Sequence, residues 1–494
     1  MLEVKNLKIQ IGLKTFLDGL SFTVNKGDKL AVIGEEGNGK TTLLRILIGD
    51  CFYASYEGMI KLPKKYGFFE QNINYLSQSV RQYLYEEETE FYFQLNEIYR
   101  NLKKLQLDDH ILDVESITDL SGGEKVKLQL LKILLAEPEI LLLDEPTNDL
   151  DLSTLEWLEK FLRELEIPIV FISHDEAFLK NVANQILHLE LIKKKTECRA
   201  TYYKGSYNDY IVRRTNEIKT QTQIAYKERS ERKKQLEVFN QIKNKVEYQQ
   251  NTISRSDPHG AKMLKRKMKS IKVQERRMEE ELTEIPDPEE AIFFQFDQFT
   301  FPKNKVIIAL KDFVFQVGNR KYSLNFEVIG PKHIGIIGKN GIGKTTFIRV
   351  LKEKLQLRND LRVGYMPQSY EELLGDFCTP IDFLVPSGDK DEIALIRSYM
   401  GNLNFTKEEM TGSIDSLSGG SKAKLILLKL VLLKPDILLL DEPTRNVSPM
   451  SNPIIRKVLK EFSGAIISIS HDRIYLEEVC DEIYEFTEGG LKRK

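Results

Sequence analysis

The feature that most constrains this sequence is that it repeats itself. Gly34-Glu35-Glu36-Gly37-Asn38-Gly39-Lys40-Thr41 recurs as Gly338-Lys339-Asn340-Gly341-Ile342-Gly343-Lys344-Thr345. Leu120-Ser121-Gly122-Gly123 recurs as Leu417-Ser418-Gly419-Gly420, Ile140-Leu-Leu-Leu-Asp144-Glu145 as Ile437-Leu-Leu-Leu-Asp441-Glu442, and Ser173-His174-Asp175 as Ser470-His471-Asp472. Ser121 to Asp144 and Ser418 to Asp441 are both 23 residues; Asp144 to His174 and Asp441 to His471 are both 30; Gln71 to Leu120 and Gln368 to Leu417 are both 49. Four motifs in one order, the last three at equal spacing, mean a tandem duplication of one nucleotide-binding domain. The copies span residues 1–206 and 291–494, with a different kind of sequence over 207–290.

Each motif carries a chemistry. The Gly-rich loops follow apolar, strand-like runs and precede helical ones, the setting of a P-loop. Glycines there let successive backbone N–H groups converge on phosphate oxygens at a helix N-terminus. The expected phosphate contacts are Gly34, Gly37, Asn38, Gly39, Lys40, Thr41 and Thr42 in the first copy, and Gly338, Asn340, Gly341, Ile342, Gly343, Lys344, Thr345 and Thr346 in the second. Thr41 and Asp144, with Thr345 and Asp441, are expected to hold Mg²⁺. Glu145 and Glu442, one residue past the buried strands, are placed to act as general bases on water. His174 and His471 end further apolar strands and are expected to reach the γ-phosphate. Ser121-Gly122-Gly123 and Ser418-Gly419-Gly420 each open a Lys-rich amphipathic helix, a second anion-binding turn per copy. One domain needs one phosphate cradle, so each turn is expected to complete the other copy's site.

Composition limits the remaining classes. With 41% hydrophobic and 30% charged residues, 29 Gly and 16 Pro, the chain suits globular cores, and no apolar run approaches the ~18 residues of a membrane helix. No secretory signal is visible at Met1, and Cys51, Cys198, Cys378 and Cys480 form no CxxC pair, so a cytoplasmic setting with the four as small buried hydrophobes is expected. Net charge is −2, but Asn208 to Leu282 carries 19 Lys+Arg against 11 Asp+Glu, a net of +8 against −10 elsewhere. Pro258 and Gly260 break this stretch into two helices. Leu264, Met268, Ile271, Met278 and Leu282, with Glu275 in one polar position, make a seam on the second helix; Ile211, Ile218, Phe239, Ile242 and Val246 make a looser stripe on the first. The reading is an antiparallel helical hairpin with a basic exterior.

P-loop, Gln after a strand, Leu-Ser-Gly-Gly, Asp-Glu and His in this order resemble the ABC ATPase family, over both halves and most of the chain. The fold class implied is α/β, two tandem P-loop ABC-type ATPase domains joined by an α-helical hairpin. The resemblance implies two ATPs sandwiched head to tail between the paired domains of a monomer. One site would join Lys40, Thr41, Gln71, Asp144, Glu145 and His174 to Ser418 and Gly420; the other would join Lys344, Thr345, Gln368, Asp441, Glu442 and His471 to Ser121 and Gly123. It also adds Gln71 and Gln368 to the Mg²⁺ set.

Two ATPase copies joined by a charged hairpin look like the ABC-F translation factors, and Tyr203-Lys-Gly-Ser-Tyr207 is similar to their tyrosine-glycine motif. That likeness implies a 70S ribosome partner, with the linker entering the E site toward 23S rRNA and P-site tRNA. Thr444-Arg445-Asn446-Val447-Ser448-Pro449 resembles the antibiotic-resistance ABC-F proteins of Gram-positive bacteria, which protect ribosomes against lincosamides, pleuromutilins and streptogramin A. The equal Gln-to-Leu spacing, without room for an inserted arm, and the absence of a long basic tail in the roughly twenty residues after His471 point the same way. The tip, about 249–260, would place Arg255, Asp257 and His259 as contacts to tRNA or rRNA. A general ABC-F factor without a drug role and a transporter ATPase remain the rival readings. Two departures stand out. The first P-loop carries Glu35-Glu36, which would repel phosphate unless turned away, and the second copy lacks the acidic Asn148-Asp149-Leu150-Asp151 loop of the first. Phe315 is a candidate for stacking on adenine in the second copy, with Ile11 at the equivalent place in the first.

Overall fold

A computed structural model of the chain describes residues 1–494 except 13, 72–77, 86–87, 149, 193–196, 253–257, 278–294, 319 and 386. It divides into two compact units: Met1–Tyr207 with Glu289–Lys494, and Asn208–Pro288.

The first unit holds both copies of the repeat. Strands in the first copy are β1 (Leu2–Ile11), β2 (Lys14–Val24), β3 (Lys29–Ile33), β4 (Ala54–Lys61), β5 (Tyr66–Phe69), β6 (Ile140–Asp144), β7 (Ile169–Ile172), β8 (Gln185–Ile192) and β9 (Glu197–Lys204). Those in the second are β10 (Val306–Val317), β11 (Arg320–Ile329), β12 (His333–Gly338), β13 (Val363–Met366), β14 (Ile437–Asp441), β15 (Ala465–Ile469), β16 (Glu482–Thr487) and β17 (Gly490–Arg493). Each copy builds a six-stranded sheet with the same topology, β5-β6-β7-β3-β8-β9 and β13-β14-β15-β12-β16-β17. All neighbours are parallel except the last pair, where β9 and β17 run antiparallel as hairpin partners. Ile140, Leu141, Leu142 and Leu143, and their counterparts Ile437 to Leu440, are fully buried, as a strand covered on both faces requires. Burial at ~1.5–3 kcal/mol for each such side chain makes these central strands the anchors of the fold.

Smaller antiparallel sheets flank the main ones, β2-β1-β4 in the first copy and β10-β11 in the second. Two phenylalanines show how the halves differ inside. Phe315, on β10, is buried against Tyr322, Phe347 and Phe486. It is therefore a core residue rather than an adenine platform, and exposed Ile11 sits on β1. Cys51, Cys198 and Cys480 pack against the cores, whereas Cys378 is exposed, contrary to the expectation for it.

The second unit is helical. The helix Tyr207–Thr252 runs 46 residues, about 70 Å at 1.5 Å each, and Pro258–Arg277 follows. Phe239 and Val246 of the first pack with Leu264 and Met268 of the second. Ile242 is exposed instead. At 100° per residue, Phe239 and Val246 superimpose after two turns while Ile242 falls roughly 60° to one side. Lys262, Lys265, Arg266, Lys267 and Lys269 are all exposed. Arg255 and Asp257 lie outside the described residues, as do the side chains of Ile271, Met278 and Leu282; His259 falls in the second helix, its side chain also outside them.

Candidate functional site

Each P-loop links a buried strand end to a helix, β3 to Lys40–Ile48 and β12 to Lys344–Gln356. Gly39 and Gly343 cap these helices with φ of 71° and 112°, and a Cβ on either would collide with Phe16 or Val317. Only glycine lets the loop turn there against its neighbour. Phe16 and Val317 were not singled out from the sequence; no periodicity marks them, and only the close approach to the glycine does. Lys40 Nζ donates to the carbonyls of Gly34 (2.8 Å) and Glu35 (2.9 Å), and Lys344 Nζ to those of Gly338 (2.7 Å) and Lys339 (3.0 Å). Two loop side chains turn inward: Asn38 donates to the Leu189 carbonyl at 2.8 Å, and Ile342 joins the core.

The acidic strand ends arrive beside these loops. Thr41 Oγ1 donates to Asp144 Oδ1 at 3.2 Å. Glu145 and Glu442 follow with φ of 49° and 55°, left-handed conformations rare outside glycine and held here in both copies. His174 Nε2 lies 3.1 Å from Glu145 Oε1; His471 Nε2 lies 3.7 Å from Glu442 Oε1, and its backbone N–H donates to Glu442 Oε2 at 3.3 Å.

The two sites differ electrostatically. Burial opposes ionisation of Glu145, but the charges of His174 and Lys40 outweigh it and hold the carboxyl below its usual range. Glu442 is pushed up to about 8 by burial and then by Asp441. Burial carries Asp144 up to about 6, raises Asp441, and drops His471 to about 4.

Two cavities lie between the copies. The larger, about 570 Å³, joins Gly341, Gly343, Lys344, Thr345, Gln368, Asp441, Glu442 and His471 to Gly122, Asn148 and Leu150 of the first copy. The smaller, about 280 Å³, joins Glu36, Gly37, Lys40, Thr41, Gln71, Glu145 and His174 to Asn446 of the second copy. His174 reaches across as well, its Nδ1 3.1 Å from the Val447 carbonyl. Ser121 and Ser418 face their own helices, capping Gly122–Leu135 and Gly419–Leu433. Of the glycines after them, Gly122 lines the larger cavity and Gly420 donates its N–H to Glu36.

These oxygen donors suit magnesium. Thr41, Asp144 and Gln71, and Thr345, Asp441 and Gln368, are hard ligands, and Asp441 Oδ2 is buried with no hydrogen-bond partner among the described residues. No cluster of three His, Cys, Asp or Glu appears among those residues, so phosphate oxygens would have to help fill a metal's shell.

The ABC transporter family model matches residues 17–148 and 322–445, covering both P-loops and both acidic strand ends. The chain belongs to the ABC transporter family. It is therefore an ATP-binding ATPase with tandem domains, and its likeness over nearly the whole chain is to ABC-F members. The ABC transporter F family member 2 of Arabidopsis thaliana is 26% identical over 97% of this chain and 75% of its own length. The probable ATP-binding protein YheS of Escherichia coli (strain K12) is 28% identical over 98% of this chain and 78% of its own. Among solved structures, the archaeal ribosome recycling factor aABCE1, in complex with the stalk protein aP1, shares the fold with a TM-score of 0.61 at 17% identity, over 98% of this chain and 88% of that one. No helix among the described residues of this ABC protein is long and apolar enough to cross a membrane.

Proposed function

We propose that this ATPase works in the cytoplasm on the 70S ribosome. In its ATP-bound form it enters the E site, with the basic linker reaching toward P-site tRNA and 23S rRNA and dislodging drugs of the lincosamide, pleuromutilin and streptogramin A type. The observation that carries the reading is the pairing of two cross-copy cavities with an interposed linker whose stretch Asn208 to Leu282 has a net charge of +8. Lys and Arg on such a helix neutralise RNA phosphates and release counterions. The archaeal protein of similar fold is a ribosome recycling factor.

In each composite site, Lys40 or Lys344 would release its loop carbonyls to contact the β- and γ-phosphates. Thr41 with Asp144 and Gln71, or Thr345 with Asp441 and Gln368, would hold Mg²⁺. The bound metal neutralises phosphate charge during transfer. Glu145, and Glu442 in its ionised form, take the proton of the attacking water, and His174 and His471 orient the γ-phosphate. ATP stabilises the paired form by binding it more tightly than the separated one, and hydrolysis releases that bias.

Glu145→Gln/Glu442→Gln removes both bases while preserving their shape, and should lower kcat by about 10²–10⁴. That variant should pellet with 70S ribosomes when ATP is present and stay in the supernatant without it. Pelleting that ignores ATP, or none at physiological salt, defeats the ribosomal reading. The drug role rests on Thr444-Arg445-Asn446-Val447-Ser448-Pro449 and its resemblance. Unchanged lincosamide and pleuromutilin susceptibility after gene deletion would leave the general ABC-F factor standing.

A further inference from the structure

Glu35 and Glu36 both reach across to the second copy, Glu35 half-buried and Glu36 at the exposed rim of the site. Glu36 Oε2 accepts the Gly420 N–H at 2.9 Å, an amide of the second copy's signature turn. Glu35 pairs with Lys424, one helical turn further along, where both side chains are largely buried. The first P-loop is thus fastened to the helix Gly419–Leu433 by two carboxylates, one on its N-terminus and one on its lysine.

The second P-loop carries no carboxylate at these positions. At the matching loop positions stand Lys339 and Asn340, and at the position of Lys424 stands Lys127. Lys127 is turned away, its ammonium over the Trp157 ring at 4.4 Å and donating to the Gln106 carbonyl. A lysine on each side repels where the first site attracts. The two cavities differ accordingly, about 280 Å³ with Glu36 in its wall against about 570 Å³ with Asn340.

We infer that Glu36 is an internal phosphate mimic: its carboxylate fills the signature-turn amide that a γ-phosphate would use, so the first composite site prefers a nucleoside diphosphate and the second takes the triphosphate. A helix N-terminus holds one anion well, and two anions at the same amide repel. A diphosphate needs only the P-loop amides and Lys40 and leaves the Glu36–Gly420 contact intact. A triphosphate has to expel the carboxylate and break into the Glu35–Lys424 pair. The inference rests on the ATP-site reading above and adds that the two sites differ in ligand.

The test uses the full chain carrying Lys344→Ala, which confines tight binding to the first site. Calorimetric titration with ADP and with a slowly hydrolysed ATP analogue gives the two Kd values, with Glu36 present and as Glu36→Gln. With Glu36, ADP should bind at least about tenfold tighter than the analogue, the scale of one charge-assisted hydrogen bond. Glu36→Gln should close most of that gap by tightening the analogue, since the amide side chain no longer repels phosphate. In the mirror experiment, Asn340→Glu on a Lys40→Ala background should create the ADP preference at the second site. Equal affinities with Glu36 present, or a gap that Glu36→Gln leaves unchanged, overturn the inference while leaving the ATP site intact. Binding of neither nucleotide to the Lys344→Ala chain would instead sink the first ATP site itself.

Discussion

Asp175 caps the helix Glu176–Val182, its carboxylate accepting the Phe178 N–H at 2.8 Å, and it is half-buried in the wall of the larger cavity between the copies. Burial raises its pKa to about 6; the Phe178 hydrogen bond and Arg473 pull it down, while Asp472 and Glu159 push it up. The ordinary value is 3.8, so between 3.8 and about 6 the folded chain keeps a proton that the unfolded chain has lost. Its contribution to stability is therefore full below 3.8 and lost as pH rises through 6. Asn caps a helix as well as Asp and carries no charge. Asp175→Asn should melt above wild type at pH 7.5, by up to about 3 kcal/mol at 1.36 kcal/mol per pKa unit, and the two curves should converge toward pH 4. A constant offset from pH 4 to 8 would show that the carboxylate is not titrating in the folded chain. At this scale the sequence is legible where chemistry forces a residue type. Lys40, Asp144, Glu145 and His174 sit together because phosphate transfer needs those groups. Phe315 was misjudged because its place in the sequence does not say that its ring faces inward, and the inward side chains of Asn38 and Ile342 leave only their backbone amides for the phosphate contacts expected of them.

The helices that bring the copies together carry an exchange of charge. Glu159 and Glu176 in the first copy correspond, at the common offset of 297 residues, to Arg456 and Arg473 in the second. Each pairs across the pseudo-dyad with the other: Arg473 with Glu159, and Arg456 Nη1 with Glu176 Oε2 at 2.8 Å. Arg456 is 2% exposed and its Nε also donates to Glu478 at 2.8 Å. Two first copies facing each other would set Glu against Glu, and two second copies Arg against Arg. The exchange thus specifies pairing between unlike copies within a chain, by repulsion against the alternatives. Arg456→Glu should lower the melting temperature sharply, since breaking a buried pair costs ~3–5 kcal/mol before the new repulsion is counted. Adding Glu176→Arg should recover much of the loss. Additive losses in the double variant would mean that the two residues do not interact. Elements were the easiest scale to read, because strand, loop and helix each appear twice and β6 and β14 are too apolar to be anything but buried. The charge exchange was equally present in the letters, but it lies in how the copies differ, and motif matching looks for what they share.

Across the whole molecule the chain keeps its positive excess in the linker and its negative excess in the ATPase unit. The repeat gave the domain order directly; the seam of the helices came through only in part, since Phe239 and Val246 face Leu264 and Met268 while Ile242 does not. A helix this polar follows its partner through few contacts, so a stripe drawn from spacing alone includes residues the seam does not use. If the exposed face of Pro258–Arg277 lies along ribosomal RNA, affinity should fall steeply with salt. Each phosphate neutralised on a single strand contributes about −0.7 to the slope of log K against log salt. Replacing Lys262, Lys265, Arg266, Lys267 and Lys269 together with Gln should therefore flatten that slope by about 3–4 units at five phosphates. The measurement is sedimentation of Glu145→Gln/Glu442→Gln with 70S ribosomes and ATP over a range of potassium concentrations. ATPase activity of the same five substitutions in an otherwise wild-type chain serves as the control, because none of these residues lines either nucleotide cavity. An unchanged slope with intact binding would move the ribosomal contact off this helix, whereas a flattened slope with retained ATPase activity would assign the linker's charge to the RNA backbone.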